Sequence, residues 1–162
     1  MRTLLRMLVI GSVLAVGGAS VALAAMAADP AVGTWKLNVE KSKYTPAPMP
    51  VKNLTVTREA ADGGVKQTTT GEQADGTAIN ASYTAKFDGK DVPVSGNAPY
   101  DTIALKQVNA NTFTDARKKT GGPYQATSRL VISNGGKTMT TTTKGANAAG
   151  KAMASTFVFD KQ

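Results

Sequence analysis

The 162-residue chain contains no cysteine and no histidine. Without cysteine there is no disulfide framework, no thiol nucleophile, no thiolate zinc site and no bacterial lipid-anchor cysteine. Without histidine there is no Ser-His-Asp triad and no histidine-ligated zinc hydrolase, and most general-base schemes are excluded. Aromatic residues are also scarce, with one Trp, four Tyr and four Phe. No stretch after residue 28 is apolar enough to cross a membrane, and none carries a helical apolar stripe of useful length. Neither a Gly-rich phosphate loop nor a calcium-loop pattern occurs. These absences leave a chain for which no catalytic residue, no metal site and no cofactor is expected.

The first 27 residues have a separate character. Arg2 and Arg6 precede an apolar run from Met7 to Leu23, which ends in Ala24-Ala25-Met26-Ala27-Ala28. A positive start, an apolar middle and small residues at the end are the three parts of a secretory signal peptide, and Ala25-Met26-Ala27 fits the cleavage pattern. The competing reading is an uncleaved anchor, because the run approaches the length of a span. Gly11, Gly17, Gly18 and the alanine-rich end weaken that reading. The expectation is a signal peptide over 1–27 and a single domain over 28–162, with no stable membrane anchor after cleavage. Such a protein is periplasmic or secreted from a bacterium. Removing Arg2 and Arg6 leaves 17 basic against 11 acidic side chains, a net charge of +6. This mildly favours anionic partners. The cations are dispersed, with one tight run at Arg117-Lys118-Lys119, so nucleic acid is not an expected partner.

Turn signals punctuate the rest. Asp62-Gly63, Asp75-Gly76 and Asp88-Gly89 follow one another at steps of 13 residues. Further Gly- and Asn-rich pairs continue at similar spacing, as at Asn134-Gly135. Asp-Gly and Asn-Gly suit tight hairpins, whose central residues need positive φ. Between the turns lie strand patterns. Ile79, Ala81, Tyr83, Ala85 and Phe87 share one parity, while Asn80, Ser82, Thr84 and Lys86 take the other. A period of two buries one face and wets the other. Twenty threonines follow residue 28, and their branched Cβ and hydroxyl fit a half-exposed pleated surface. The expected strands are 33–40, 52–59, 65–72, 77–87, 90–95, 101–108, 111–119, 124–133, 137–143 and 152–160. An all-β, antiparallel up-and-down meander of about 8–10 strands either closes or leaves two bare edges, and closure removes the edge hazard. A closed or nearly closed barrel is therefore expected. Two places interrupt the rhythm: the stiff Pro46-Ala47-Pro48-Met49-Pro50 link, and Gly96-Asn97-Ala98-Pro99, where the strand order steps or the barrel gapes.

Gly33-Thr34-Trp35 at the first strand is similar to the G-x-W opening of lipocalin and other calycin barrels. The wider run Gly33-Thr34-Trp35-Lys36-Leu37-Asn38, followed by Lys41-Ser42-Lys43-Tyr44, resembles the opening of a group of uncharacterised exported bacterial proteins. Asp88-Gly89-Lys90-Asp91-Val92-Pro93-Val94 and Gly135-Gly136-Lys137-Thr138-Met139-Thr140 also fit that group. The calycin resemblance implies that Trp35 plugs the closed base of the barrel and packs against a basic side chain from a late strand, for which Arg129 is the candidate. Thr114-Asp115-Ala116 lacks the aromatic of the second calycin motif. Ten strands sit nearer the fatty-acid-binding branch, with its helical lid replaced by the proline link.

Few side chains stand out as a site. Trp35 reads as the base plug, with a ligand wall as the other possibility. Arg58 shares parity with Leu54 and Val56, and Arg117 with Phe113 and Asp115. An inward guanidinium clamps a carboxylate or phosphate through its two-pronged edge. The alternative, which strand-end positions favour, is that both arginines snorkel to water. Tyr83 faces inward by parity and offers a hydroxyl either to a ligand or to the core. Phe113 is a candidate ligand contact. The carboxylates of Asp62, Asp75, Asp88 and Asp91 belong to turns, and Asp115 is placed to pair with Arg117.

Two functions compete. The first is an exported, lipocalin-like, non-catalytic monomer that binds a small apolar or amphiphilic ligand, hydrophobic or anionic, with Tyr83, Arg58, Arg117 and Phe113 as contacts. The second is a structural or interaction module at the bacterial cell envelope. Many inward positions are Ala or Thr, which implies either a cavity or a narrow barrel.

Overall fold

A computed structural model describes residues 29–162, so the signal peptide expected over 1–27 lies outside the described residues. Eleven antiparallel strands make one sheet: β1 (Gly33–Thr45), β2 (Val51–Ala61), β3 (Gly64–Gln73), β4 (Ala78–Lys86), β5 (Asp88–Pro93), β6 (Ser95–Gly96), β7 (Thr102–Asn109), β8 (Thr112–Lys118), β9 (Gln125–Ser133), β10 (Thr138–Ala146) and β11 (Ala152–Lys161). No helix occurs among the described residues. The order β5-β7-β8-β9-β10-β11-β1-β2-β3-β4-β6 is that of a meander wrapped into a nearly closed barrel. All ten expected strands are present, and the eleventh is the two-residue β6.

That short strand is where the wall closes. β5 pairs with β7, then Val94 carries the chain across and β6 pairs with β4 through Ala81↔Gly96 and Ser82↔Ser95. One segment thus touches both edges of the sheet. Gly96 allows the approach: its φ is +97°, and a Cβ there would sit 2.0 Å from the Asn80 carbonyl oxygen. Asn97 extends the contact with its side chain. Its Oδ1 accepts from the Asn80 amide (2.7 Å), and its Nδ2 donates to the Ala78 carbonyl. The Gly96–Pro99 break is therefore a seam between β4 and β7 and not a gap.

Alternate residues of each strand point inward and form two apolar clusters. One contains Trp35, Leu37, Phe113, Leu130, Met139 and Phe159; the other contains Val65, Ala85, Ile103 and Leu105. Phe87 packs against both. The first cluster closes one end of the barrel. Trp35 is fully buried there, and its Nε1 donates to the Ala31 carbonyl at 3.0 Å. Asp29 holds the preceding turn, its Oδ1 accepting from the Ala31 amide. Lys161, at the end of the last strand, places Nζ 4.9 Å from the centroid of the Trp35 ring. The late-strand cation over the tryptophan is thus Lys161. Arg129, the residue expected from the resemblance, points outward from β9 and is exposed. Trp35→Ala is expected to cost about 3–5 kcal/mol, the range for losing a large buried aromatic. Urea unfolding followed by far-UV circular dichroism measures this.

Candidate functional site

Above the Trp35 end, the inward side chains are too small to fill the barrel. Ala81, Thr69, Thr141, Thr143 and Ser155 leave a cavity of about 450 Å³. Its mouth is built from connecting segments at the opposite end: Pro50 of the proline link, Asn97 to Tyr100, and Asn147-Ala148. Three charged side chains line it, Arg58, Asp115 and Arg117.

Arg58 lies on β2 with 3% of its surface exposed. Its Nη1 donates to Gln67 Oε1 (2.8 Å), and Tyr83 Oη donates to the same oxygen (2.9 Å). These three side chains form a transverse row, since Arg58 pairs with Gln67 and Gln67 with Tyr83 across β2, β3 and β4. Gln67 Nε2 donates onward to Thr69 Oγ1 at 3.3 Å. The guanidinium carbon stands 5.6 Å from the Phe113 ring centroid. Among the described residues, no group accepts from Nε or Nη2 of Arg58. Those two N–H groups lie side by side on one edge of the guanidinium, the edge that matches the two oxygens of a carboxylate. No carboxylate of the chain pairs with Arg58. Burial pushes the Tyr83 hydroxyl well above its usual range, against the pull of the Arg58 and Arg117 charges. It therefore stays protonated and donates.

Arg117 and Asp115 behave differently. Arg117 Nη2 donates to Asp115 Oδ2 at 2.9 Å, and Nε lies 2.8 Å from Oδ1 as an ion pair without hydrogen-bond alignment. Desolvation alone would lower the Arg117 pKa, but the Asp115 charge and the nearby tyrosines outweigh it, and the value rises. Arg117 also sits 5.3 Å from the ring centroid of Tyr100, which stacks on Tyr124 at 5.6 Å. With this pair neutralised, the lining keeps one net positive charge, on Arg58.

The structure brings Arg58, Arg117, Phe113 and Tyr83 to one cavity and sets Trp35 beneath it as the floor. Both arginines point inward and neither snorkels. Gln67, Tyr100, Tyr124 and the inward hydroxyls of β10 and β11 line the cavity and were not singled out by the sequence reading. Parity carried a signal for the hydroxyls, since Thr141 and Thr143 follow Met139. Nothing in the sequence pairs Gln67 with Arg58 until the β2–β3 register is known.

No protein-family model matches the chain, and no curated protein sequence matches it. Solved structures do resemble it. A Schistosoma mansoni fatty acid binding protein in complex with arachidonic acid superposes with a TM-score of 0.55 at 14% identity, over 82% of this chain and 96% of that one. An S-type phycobiliprotein lyase from Guillardia theta gives a TM-score of 0.53 at 9% identity, over 83% and 89%. The chain therefore has a calycin-like fold of the kind seen in fatty-acid-binding proteins.

Two outcomes follow from this electrostatic arrangement. Arg117→Met strands a buried carboxylate and is expected to cost about 3–5 kcal/mol, whereas Arg58→Met removes an uncompensated cation and leaves stability unchanged or higher. Parallel urea melts compare the two. At the mouth, Asp101 accepts from the Thr120 amide (2.9 Å), which with the Thr102 and Thr120 hydroxyls and Lys119 lowers its pKa to about 2. A depressed carboxylate pKa contributes stability that is present above the ordinary value near ~4 and is lost as pH falls through the folded value. The Thr120 amide resonance is accordingly expected to titrate near pH ~2, and not near ~4, by NMR.

Proposed function

We propose that this chain is a non-catalytic binding protein that encloses a small amphiphilic molecule bearing one carboxylate, with Arg58 as the anchor for that group. The observation that carries the reading is the buried, unpartnered two-donor edge of Arg58, a residue that lines a mainly apolar cavity. Burying a charge without a partner is costly, and one bound anion removes that cost while matching the single net charge of the lining. Phe113 supports the guanidinium from the side, and Tyr83 and Gln67 hold its Nη1 end, so the cation is oriented before a ligand arrives. The fatty-acid complex among the similar folds supports the same ligand size class. The calycin-like fold and the cavity set this reading ahead of an envelope interaction module, whose support is confined to the basic exterior.

No nucleophile is paired with a base in the lining: the Tyr83 hydroxyl is engaged by Gln67, and Asp115 by Arg117. Holding the ligand, and not transforming it, is the activity this arrangement suits. Residues 1–27 have the pattern of an export signal, so the working place of the protein is the periplasm or the medium, where it acts as a monomer.

Calorimetric titration with palmitate and with hexadecanol tests the reading. Palmitate is expected to bind one to one, and Arg58→Met to weaken it by about 10- to 100-fold, the loss of charge-assisted hydrogen bonds. Hexadecanol is expected to bind both proteins alike. Palmitate binding that is unchanged in Arg58→Met, or no binding at all, would falsify the anchor.

A further inference from the structure

The inward hydroxyls are not scattered. Asp115 on β8 pairs with Ser128 on β9, Ser128 with Thr143 on β10, Thr143 with Ser155 on β11, and Ser155 with Tyr44 on β1. Five neighbouring strands thus each present an oxygen-bearing side chain at the same rung. The inward rungs on either side are mostly apolar: Phe113, Leu130, Thr141 and Phe157 below, and Ala126, Gly145 and Met153 beside Arg117 above. The oxygen row is therefore one belt and not a general polarity of the interior. On the facing half of the barrel, the row Arg58–Gln67–Tyr83 across β2 to β4 carries the anion anchor.

The belt has capacity left over. Ser128 Oγ and Thr143 Oγ1 lie 3.0 Å apart and satisfy each other once; of the two, Thr143 lines the cavity, and a hydroxyl offers one donor and two acceptor sites, so Ser128 backs Thr143 and leaves it capacity toward a ligand. Among the described residues, the Tyr44 hydroxyl reaches only the Met153 sulfur at 3.8 Å, a weak acceptor. Among the described residues, Ser155 forms no side-chain hydrogen bond, and it faces the cavity. A plain alkyl chain in this cavity leaves all of these groups against methylene. A ligand oxygen at the same level engages them.

We infer that the ligand carries hydrogen-bonding oxygen along its body, so that it is an oxygenated long-chain carboxylate and not a simple fatty acid. This rests on the binding reading above and deepens it. The anchor on β2 to β4 holds the head group, while the belt on β8 to β11 and β1 reads a hydroxyl or carbonyl further along. A site that hydrogen-bonds such a group discriminates against the analogue that lacks it, because its own polar groups are otherwise left unpaired.

The test compares stearate with 10-hydroxystearate and 12-hydroxystearate by calorimetric titration, on the native chain and on a Ser128→Ala, Thr143→Val, Ser155→Ala variant. At least one hydroxylated acid is expected to bind the native chain about tenfold more tightly than stearate. The variant is expected to lose that preference and bind all three acids with affinities within about twofold of one another. The single variant Ser155→Ala, which leaves the Ser128–Thr143 pair intact, repeats the comparison should the triple change unfold the barrel. If stearate binds the native chain through Arg58 at least as tightly as both hydroxylated acids, the belt inference is wrong and the anchor stands. If none of the three acids binds, the binding reading falls, and the inference with it.

Discussion

A sheet that closes on itself sends every second side chain into a space whose width is set by the number of strands and their tilt, not by the side chains. This constraint governs the molecule. Ten or so strands enclose more room than Ala81, Ala85, Ala126, Thr141 and Thr143 can occupy. The few large residues are gathered at one end, where Trp35, Phe113, Met139 and Phe159 pack to a closed floor. The scarcity of aromatic residues is thus a matter of allocation: enough to seal the base, too few to fill the centre. Cavity, mouth and site all follow from that unequal distribution.

The two interior arginines show how the same residue type is put to opposite uses. Arg117 is compensated by Asp115 two residues away on the same strand, and its guanidinium lies against Tyr100, which stacks on Tyr124. That unit is structural: it ties β8 to the segments at the mouth. Arg58 has a ring beside it and an amide at one end, and nothing on the edge that binds anions best. A cation over an aromatic face gains about 0.5–2 kcal/mol, which does not replace missing hydrogen-bond acceptors. The barrel therefore keeps a locally unfavourable charge at the place where recognition is needed, a common relation between stability and function.

Much of this fold was legible from the chain. The alternation from Ile79 to Phe87 and the Asp-Gly turns located the strands, and the step near Gly96 located the seam. The inward direction of Arg58 and Arg117 was also legible, but their burial was not. The reason for Arg58 is a boundary: β2 runs to Ala61, so Arg58 lies inside the strand and cannot reach water at its end. For Arg117 the reason is long-range, since Tyr100 and Tyr124 come from separate connections that meet only in the folded barrel. The cation over Trp35 depended on one more residue of β11, which extends to Lys161 and displaces Arg129 from that role. Periodicity reports which side a residue faces. Register, which decides what it meets there, is a property of pairs of strands.

The turn at Asp29 that caps Trp35 and the last residue, Gln162, whose amide donates to the Thr34 carbonyl, both sit at the sealed base. Among the described residues, the cavity mouth is bordered by internal connections. Residues 29 and 162 both lie on the far side of the barrel from the opening, so a bead, a dye or a partner domain attached after residue 162 leaves the interior open to solution.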